Sequence, residues 1–196
     1  MFIKYWDNAL NEEELLMVDE ELSNLNWTKL FTRAGSHMLE CNDLKTCPAL
    51  NTLYNKFTSS DFLNFLETET NIKGLLPDPH FIGAGYSQIK DSGDLKPHID
   101  FNWNEKIKMY RAASYIIYLS TPEEGGEIEF IDTVTIKPQR NRAVLFEHSE
   151  TIRHFVHPVK GTRNAVRFFY YTSNLQSPEN YHRSLYGVRD GVPTDV

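Results

Sequence analysis

A chain of 196 residues is long enough for one domain with a sizeable core, and 40% apolar with 13% aromatic residues separates it from disordered sequences. A formal charge of −7 argues against a phosphate-backbone binder, because nucleic-acid affinity comes mostly from Lys and Arg neutralising phosphates. No run approaches the roughly 20 apolar residues of a membrane span, so neither nucleic acid nor a membrane is an expected partner.

The opening stretch Met1-Phe2-Ile3-Lys4-Tyr5-Trp6-Asp7 lacks the basic-then-apolar pattern of a signal peptide. Residues 1–79 read as mostly helical support. Asn11 is a plausible N-cap, with Glu12, Glu13 and Glu14 in the first turn, where carboxylates suit the helix dipole. Leu15, Val18, Leu22 and Leu25 then recur at helical spacing and form one apolar stripe. A weaker helix covers Ala49 to Phe57, and Ser60 caps another that carries Phe62, Leu63, Phe65 and Leu66. Core packing is the reading for all these stripes. Cys41 and Cys47 are too far apart for a CxxC motif. A disulfide between them is open, but reduced thiols in a cytoplasmic protein fit better.

From Phe81 the pattern changes to short β-type runs between turn signals. The predicted strands are Phe81–Ile89, Lys96–Phe101, Ala113–Ser120, Glu127–Ile131, Thr133–Ile136, Ala143–Phe146, His154–Pro158 and Arg163–Tyr171. The separators include Asp91-Ser92-Gly93-Asp94, Pro122-Glu123-Glu124-Gly125-Gly126 and Lys160-Gly161-Thr162. Eight short strands predict a double-sheet jelly roll over residues 80–172. The fold class is therefore α+β, mainly β. Residues 173–196 turn polar and read as a tail or covering flap, and with no linker in sight the chain is one domain.

The chemistry concentrates in Lys96-Pro97-His98-Ile99-Asp100-Phe101. On a strand, residues i and i+2 point to the same face, so His98 and Asp100 project together. A third ligand would have to come from His37, His80, His148, His154, His157, His182 or a carboxylate. His154 and His157 differ by an odd number, so at most one joins that face. Two imidazoles and a carboxylate form the facial triad of non-haem Fe(II) oxygenases, whereas zinc more often takes a closed tetrahedron. Further on, Arg163, Ala165 and Arg167 share one strand face, and Asn164, Val166 and Phe168 the other. A buried, unpaired guanidinium is costly unless a carboxylate ligand arrives to form a bidentate pair. The alternation equally allows the arginines to face solvent.

Four ordered stretches carry a resemblance. They are Tyr86–Phe101 (YSQIKDSGDLKPHIDF), Arg111–Phe130 (RAASYIIYLSTPEEGGEIEF), Ile136–His148 (IKPQRNRAVLFEH) and His154–Arg163 (HFVHPVKGTR). Over about residues 80 to 172 the sequence resembles the Fe(II)/2-oxoglutarate-dependent dioxygenases, and within them the prolyl 4-hydroxylase-like group. It departs at Ile128, where the family usually has Thr. The resemblance implies a double-stranded β-helix with His98, Asp100 and His154 as iron ligands and catalytic centre. It implies that Arg163 grips the far carboxylate of 2-oxoglutarate, that Tyr118 can share that carboxylate, and that Tyr86 lies near the cosubstrate or substrate. Arg167 stands where a smaller or different polar side chain is expected, and is a candidate to touch substrate or to bind a carboxylate in place of Arg163. The implied cofactors are Fe(II), 2-oxoglutarate and O2, with ascorbate allowed. The implied reaction hydroxylates a C–H bond and releases succinate and CO2.

The resemblance points to prolyl residues in a peptide or protein as substrate, with Phe101, Trp103, Tyr110 and Arg167 as lining of a cleft or, equally, as packing. A free amino acid or other small molecule is the alternative substrate. A non-catalytic jelly-roll binding module is the alternative from another class. The sequence leaves the oligomeric state open.

Overall fold

The computed structural model describes residues 2–27, 29–31, 37–149, 151–173, 182 and 184–186, and for residues 29–31 only the backbone. These residues form 16 strands and three helices. In chain order they are β1 Ile3–Asp7, α1 Glu12–Asn24, β2 Lys29–Phe31, β3 Met38–Cys41, α2 Pro48–Phe57, α3 Ser60–Thr70, β4 Leu76–Pro77, β5 Gly85–Lys90, β6 Leu95–Ile99, β7 Trp103–Asn104, β8 Met109–Tyr118, β9 Glu124–Gly125, β10 Ile128–Phe130, β11 Val134–Ile136, β12 Arg142–Glu147, β13 His154–Val156, β14 Val159–Lys160, β15 Thr162–Thr172 and β16 Leu185–Tyr186.

The helices form for local reasons. Asn11 and Glu14 make a capping box: the Asn11 side chain accepts from Glu14 N at 2.9 Å, and the Glu14 carboxylate accepts from Asn11 N at 2.8 Å. Such a cap is worth about 1 kcal/mol. Helix α2 opens on Pro48, which suits a first helical turn. Its cap comes from α1, where Glu21 accepts from Ala49 N and Leu50 N, both at 2.9 Å. A carboxylate on free N–H groups at a positive helix end ties the two helices together. Helix α3 is capped by Ser59, one residue before the expected Ser60, because Ser59 has the extended backbone that lets its hydroxyl accept from Phe62 N.

The major sheet runs β1-β12-β8-β15-β5-β3-β2, with β4 also pairing β15 and β7 pairing β8. The minor sheet runs β11-β10-β13-β6-β16, and β14 and β9 form a two-stranded piece. All pairings are antiparallel, and the two main sheets face one another as a double-stranded β-helix. The N-terminal third, expected to be mostly helical, also supplies β1 to β4 to the major sheet.

The two faces of the major sheet meet different partners. Tyr115 and Ile117 of β8 and Val166, Phe168 and Tyr170 of β15 point outward into a core shared with Leu50, Leu53, Phe57 and Leu66 of the helices. Phe57 packs its ring 5.2 Å from Tyr115 and 5.0 Å from Phe168, contacts worth about 0.5–1.5 kcal/mol each beyond burial. Ile116 and Tyr118 of β8 and Ala165 of β15 point inward, with Ile128, Phe130 and Phe146, toward the space between the sheets. The inward face of β15 is therefore interior, which closes the solvent-facing alternative for Arg163 and Arg167.

Strand boundaries shift from expectation at the site. Strand β6 ends at Ile99, so Asp100 stands just past the strand, and the β13–β6 pairing shifts register between His154 and Val156. Of the expected tail, residue 173 and residues 182 and 184–186 are described, and the rest lies outside the described residues. No helix among the described residues is long and apolar enough to cross a membrane.

Candidate active site

A cavity of about 60 Å³ lies between the sheets. His98, Asp100, His154, Arg111, Arg163 and Arg167 all line it. Each of His98, Asp100 and His154 offers one ligand atom, and these atoms lie within 4.8 Å of one another. Direct cross-strand pairing of His98 with His154 brings residues 56 positions apart in sequence to one spot, with ring centroids 4.4 Å apart.

Each group is held in a ligating form. His98 Nδ1 sits 2.8 Å from the Lys96 carbonyl oxygen, which can only accept. Nδ1 therefore donates to that carbonyl, which turns Nε2 toward the cluster, 3.3 Å from Asp100 Oδ1. Burial, reinforced by the neighbouring His98, depresses the His154 pKa to about 3, so its imidazole is neutral. Burial works to raise the Asp100 pKa. Arg111 is the largest of the influences that outweigh it and hold the carboxyl well below the usual range. Two imidazoles and a carboxylate converge, a donor set that fits Fe(II).

The carboxylate is asymmetric. While Oδ1 faces His98, Oδ2 accepts from Arg111 Nη2 at 3.1 Å. Arg111 is itself fixed: the same nitrogen donates to Ser114 Oγ at 2.7 Å, and the guanidinium lies 3.4 Å from the Phe169 ring centroid and 4.5 Å from that of Phe101. Ser114 Oγ in turn lies 2.7 Å from His148 Nε2. Burial, then the charge of Arg111, push the His148 pKa well down, so this ring is neutral too. Sequence reasoning gave Arg111 and Ser114 no role at the site and ranked His148 only among several histidines. Tyr186 was missed as well: β16 pairs with β6, and the Tyr186 ring stacks on His98 at 5.0 Å and 15°. The i, i+2 spacing of Arg111 and Ala113, followed by Ser114, carries no local signal for such a network.

Arg163 and Arg167 differ in what they already hold. Arg163 is 4% exposed and donates from Nε to the Gly126 carbonyl at 2.9 Å, with its guanidinium 4.8 Å from the Tyr118 ring centroid. It forms no ion pair with any described residue. Arg167 donates from Nη2 to Glu40 Oε1 of β3 at 2.6 Å. The Tyr118 hydroxyl is buried beside Arg163, and burial raises its pKa against the opposing pull of that guanidinium.

Tyr86 corrects the sequence expectation. On β5 the inward positions are Ser87 and Ile89, and Tyr86 points to the opposite face. There its hydroxyl donates to Glu21 Oε1 at 2.8 Å, so it braces the helix layer and does not face the cavity. Of the proposed cleft residues only Arg167 lines the cavity. Phe101 packs beneath Arg111, and Trp103 packs edge-on against Tyr110. His157 pairs with Glu129 at 2.8 Å, away from the triad.

Residues 84–171 match the model of the 2OG-Fe(II) oxygenase superfamily. A search of curated proteins finds no match. Among solved structures, a viral collagen prolyl hydroxylase from Paramecium bursaria Chlorella virus-1 is similar at 16% identity and TM-score 0.62, covering 89% of this chain and 97% of that one. A Pseudomonas putida prolyl-4-hydroxylase is similar at 14% identity and TM-score 0.62, covering 88% and 93%. A Trichoplax adhaerens prolyl hydroxylase, solved with a hypoxia inducible factor peptide fragment, is similar at 18% identity and TM-score 0.56, covering 86% and 83%. These identities speak for the fold alone. The family match runs from β5 through β15 and contains the His98–Asp100–His154 cluster, so this part of the chain matches the 2OG-Fe(II) oxygenase superfamily in sequence and shares its fold with solved prolyl hydroxylases.

Proposed function

We propose that the protein hydroxylates prolyl residues in a peptide or protein. In this reading His98, Asp100 and His154 hold Fe(II), Arg163 with Tyr118 holds the far carboxylate of 2-oxoglutarate, and Arg167 serves the same cavity. The observation that carries it is the sharing of one cavity by a His–Asp–His cluster and a buried guanidinium that no described carboxylate pairs. When bound, iron, 2-oxoglutarate and O2 supply the oxidising power that turns C–H into C–OH with release of succinate and CO2.

The chain's own residues orient that chemistry. His98 and His154 present lone pairs from opposite strands. Asp100 presents one oxygen and keeps the other on Arg111, which favours single-oxygen ligation and leaves coordination positions open. Arg163, fixed by the Gly126 carbonyl, offers its remaining N–H donors to a carboxylate, and the Tyr118 hydroxyl supplies another donor beside it. Phe130 and Phe146, whose rings stand 5.5 and 5.3 Å from His154, keep that side dry.

The peptide part of the reading rests on the prolyl hydroxylase fold neighbours, one of which holds a peptide. A small-molecule substrate such as a free amino acid is the second reading, favoured by the small volume of the cavity and the Arg167–Glu40 pair in it. A cytoplasmic location is part of the proposal, supported by the free thiols of Cys41 and Cys47 lying 3.6 Å apart. The test measures succinate release with Fe(II), 2-oxoglutarate and O2 over a panel of proline-containing peptides, free proline and other amino acids. Substrate-stimulated succinate and a hydroxylated proline in a peptide are expected. Stimulation only by a non-prolyl compound overturns the prolyl reading.

A further inference from the structure

We propose that Arg167, braced by Glu40, determines specificity at this site by selecting a prolyl substrate that carries a carboxylate close to the ring. The inference rests on the prolyl reading above and deepens it.

The position of Arg167 separates it from the cosubstrate grip. Four residues along β15 divide it from Arg163, about 13 Å of strand. Arg163 stands at the end of the cavity marked by Tyr118. Arg167 pairs across to Ile116, and the next inward residue, Phe169, pairs with Ser114 and lies under Arg111. Arg111 holds Asp100, so Arg167 belongs to the metal end. Its neighbour across β5 is Gly85, while Glu40 on β3 stands opposite Ser87, so the Arg167–Glu40 pair runs diagonally over β5. Gly85 is also fixed as glycine: its φ is +91°, and a Cβ there would lie 2.5 Å from the Cys41 carbonyl oxygen.

The guanidinium has capacity to spare. Nη2 is engaged by Glu40, but among the described residues Nη1 meets only the Met38 sulfur at 3.8 Å, and a thioether is a weak acceptor. The side chain keeps 15% exposure and lines the cavity, so this edge can meet a ligand. Glu40 fixes the rotamer and competes with 2-oxoglutarate for the guanidinium, leaving that dianion to Arg163. The charges point the same way. Among the described residues Arg111, Arg163 and Arg167 face two carboxylates, Asp100 and Glu40, a net of one positive charge. Fe(II) and the 2-oxoglutarate dianion cancel one another. One positive charge therefore remains in a largely buried site, where an uncompensated charge is costly and a substrate carboxylate is favoured.

A carboxylate beside a prolyl ring has two sources: an adjacent Asp or Glu side chain, or the α-carboxylate of a C-terminal or free proline. The test uses the whole protein. With Fe(II), 2-oxoglutarate and O2, succinate and hydroxyproline are measured for peptides with Asp-Pro or Glu-Pro against Asn-Pro or Gln-Pro. The same is done for C-terminal proline against its amide, and for L-proline against L-prolinamide. In parallel, titration calorimetry on protein loaded with Mn(II) and 2-oxoglutarate compares each carboxylate with its amide, which reads binding without turnover. One carboxylate arm is expected to exceed its neutral partner by about tenfold or more, as a charge-assisted hydrogen bond gives. Arg167→Gln is expected to erase that ratio, with 2-oxoglutarate affinity within about twofold of wild type and a retained cooperative thermal transition. If Arg167→Gln fails to fold, Arg167→Met decides. Equal binding of every carboxylate and amide pair in wild type, or a loss of 2-oxoglutarate affinity in the Arg167 variants, overturns the proposal. Absent prolyl turnover with the carboxylate contrast intact overturns the prolyl reading instead.

Discussion

Replacing Arg163 by Met should separate folding from function at the site. The guanidinium is 4% exposed, holds the Gly126 carbonyl, and pairs with no described carboxylate. In the ligand-free protein it is a burden: a buried uncompensated charge is costly, and an apolar side chain of similar length is tolerated or preferred. The opposing loss is the hydrogen bond to Gly126, about 1–3 kcal/mol if the carbonyl stays unsatisfied. The two effects nearly cancel, so Arg163→Met is expected to unfold within a few degrees of wild type. Cosubstrate binding should respond very differently. Two charge-assisted hydrogen bonds to a carboxylate are worth about 3 kcal/mol or more together, so 2-oxoglutarate affinity should fall at least about a hundredfold. Thermal unfolding with Mn(II) and increasing 2-oxoglutarate reads both quantities. At a concentration of a hundred times Kd, wild type gains about 2.7 kcal/mol, which for a domain of this size raises Tm by about 5–10 °C. The variant should show almost none of that gain at the same concentration. A variant that keeps the full ligand-induced rise, or a wild-type-like loss appearing at Arg167→Met instead, would refute the assignment.

His98→Ala and Asp100→Ala should each abolish 2-oxoglutarate turnover and the Mn(II)-induced rise in Tm, and robust turnover in either one contradicts the triad. Arg111→Met frees Asp100 Oδ2 and removes the link to Ser114, so metal affinity should fall about 10- to 100-fold while 2-oxoglutarate still requires Arg163. Metal titration by calorimetry checks this, and unchanged affinity would show that Arg111 serves packing alone. Burial first, and then the neighbouring Cys41, push the Cys47 thiol up to about 12. An unfolded thiol ionises near 8.5, so the unfolded state loses its proton first as pH rises. The contribution of Cys47 to stability should be complete at pH 7 and decline from about pH 8.5 toward 12. Urea unfolding at several pH values should then show a shallower alkaline decline in Cys47→Ala than in wild type, and equal slopes would contradict the shift.

The sequence made parts of this arrangement legible because they are local. A His-x-Asp pair, the Asn11 capping box and the spacing of Leu15, Val18 and Leu22 all depend on residues within a turn or two of one another. Strand period was equally reliable in sorting Arg163, Ala165 and Arg167 onto one face of β15. Period alone was unable to say which face is inside, because β15 is buried on both: helices cover Val166 and Phe168, and the minor sheet covers Ala165. Tyr86 shows the cost of anchoring on residue type without testing parity. Its neighbours Ser87 and Ile89 are the inward pair of β5, so an even-numbered tyrosine there belongs to the helix side. The contributions of β3 were invisible for another reason. Met38 and Glu40 reach the site only through the pairing of β3 with β5, and no local pattern in the N-terminal third announces an added strand.

The three arginines of the cavity explain why one residue type serves three ends. Arg111 has Asp100, and its charge keeps that carboxyl ionised against the pull of burial. Arg167 has Glu40, brought from β3 diagonally over β5. Arg163 has a backbone carbonyl and an aromatic ring, neither of which cancels a full positive charge. A guanidinium cannot shed its proton to escape this cost, as a lysine could. The fold therefore carries at Arg163 a charge that its own described residues leave uncompensated. On the proposed reading the far carboxylate of 2-oxoglutarate meets that charge at Arg163, and the positive charge left over the cavity once iron and cosubstrate are both bound is the one a substrate carboxylate answers. This ties cosubstrate selection to the stability of the site itself.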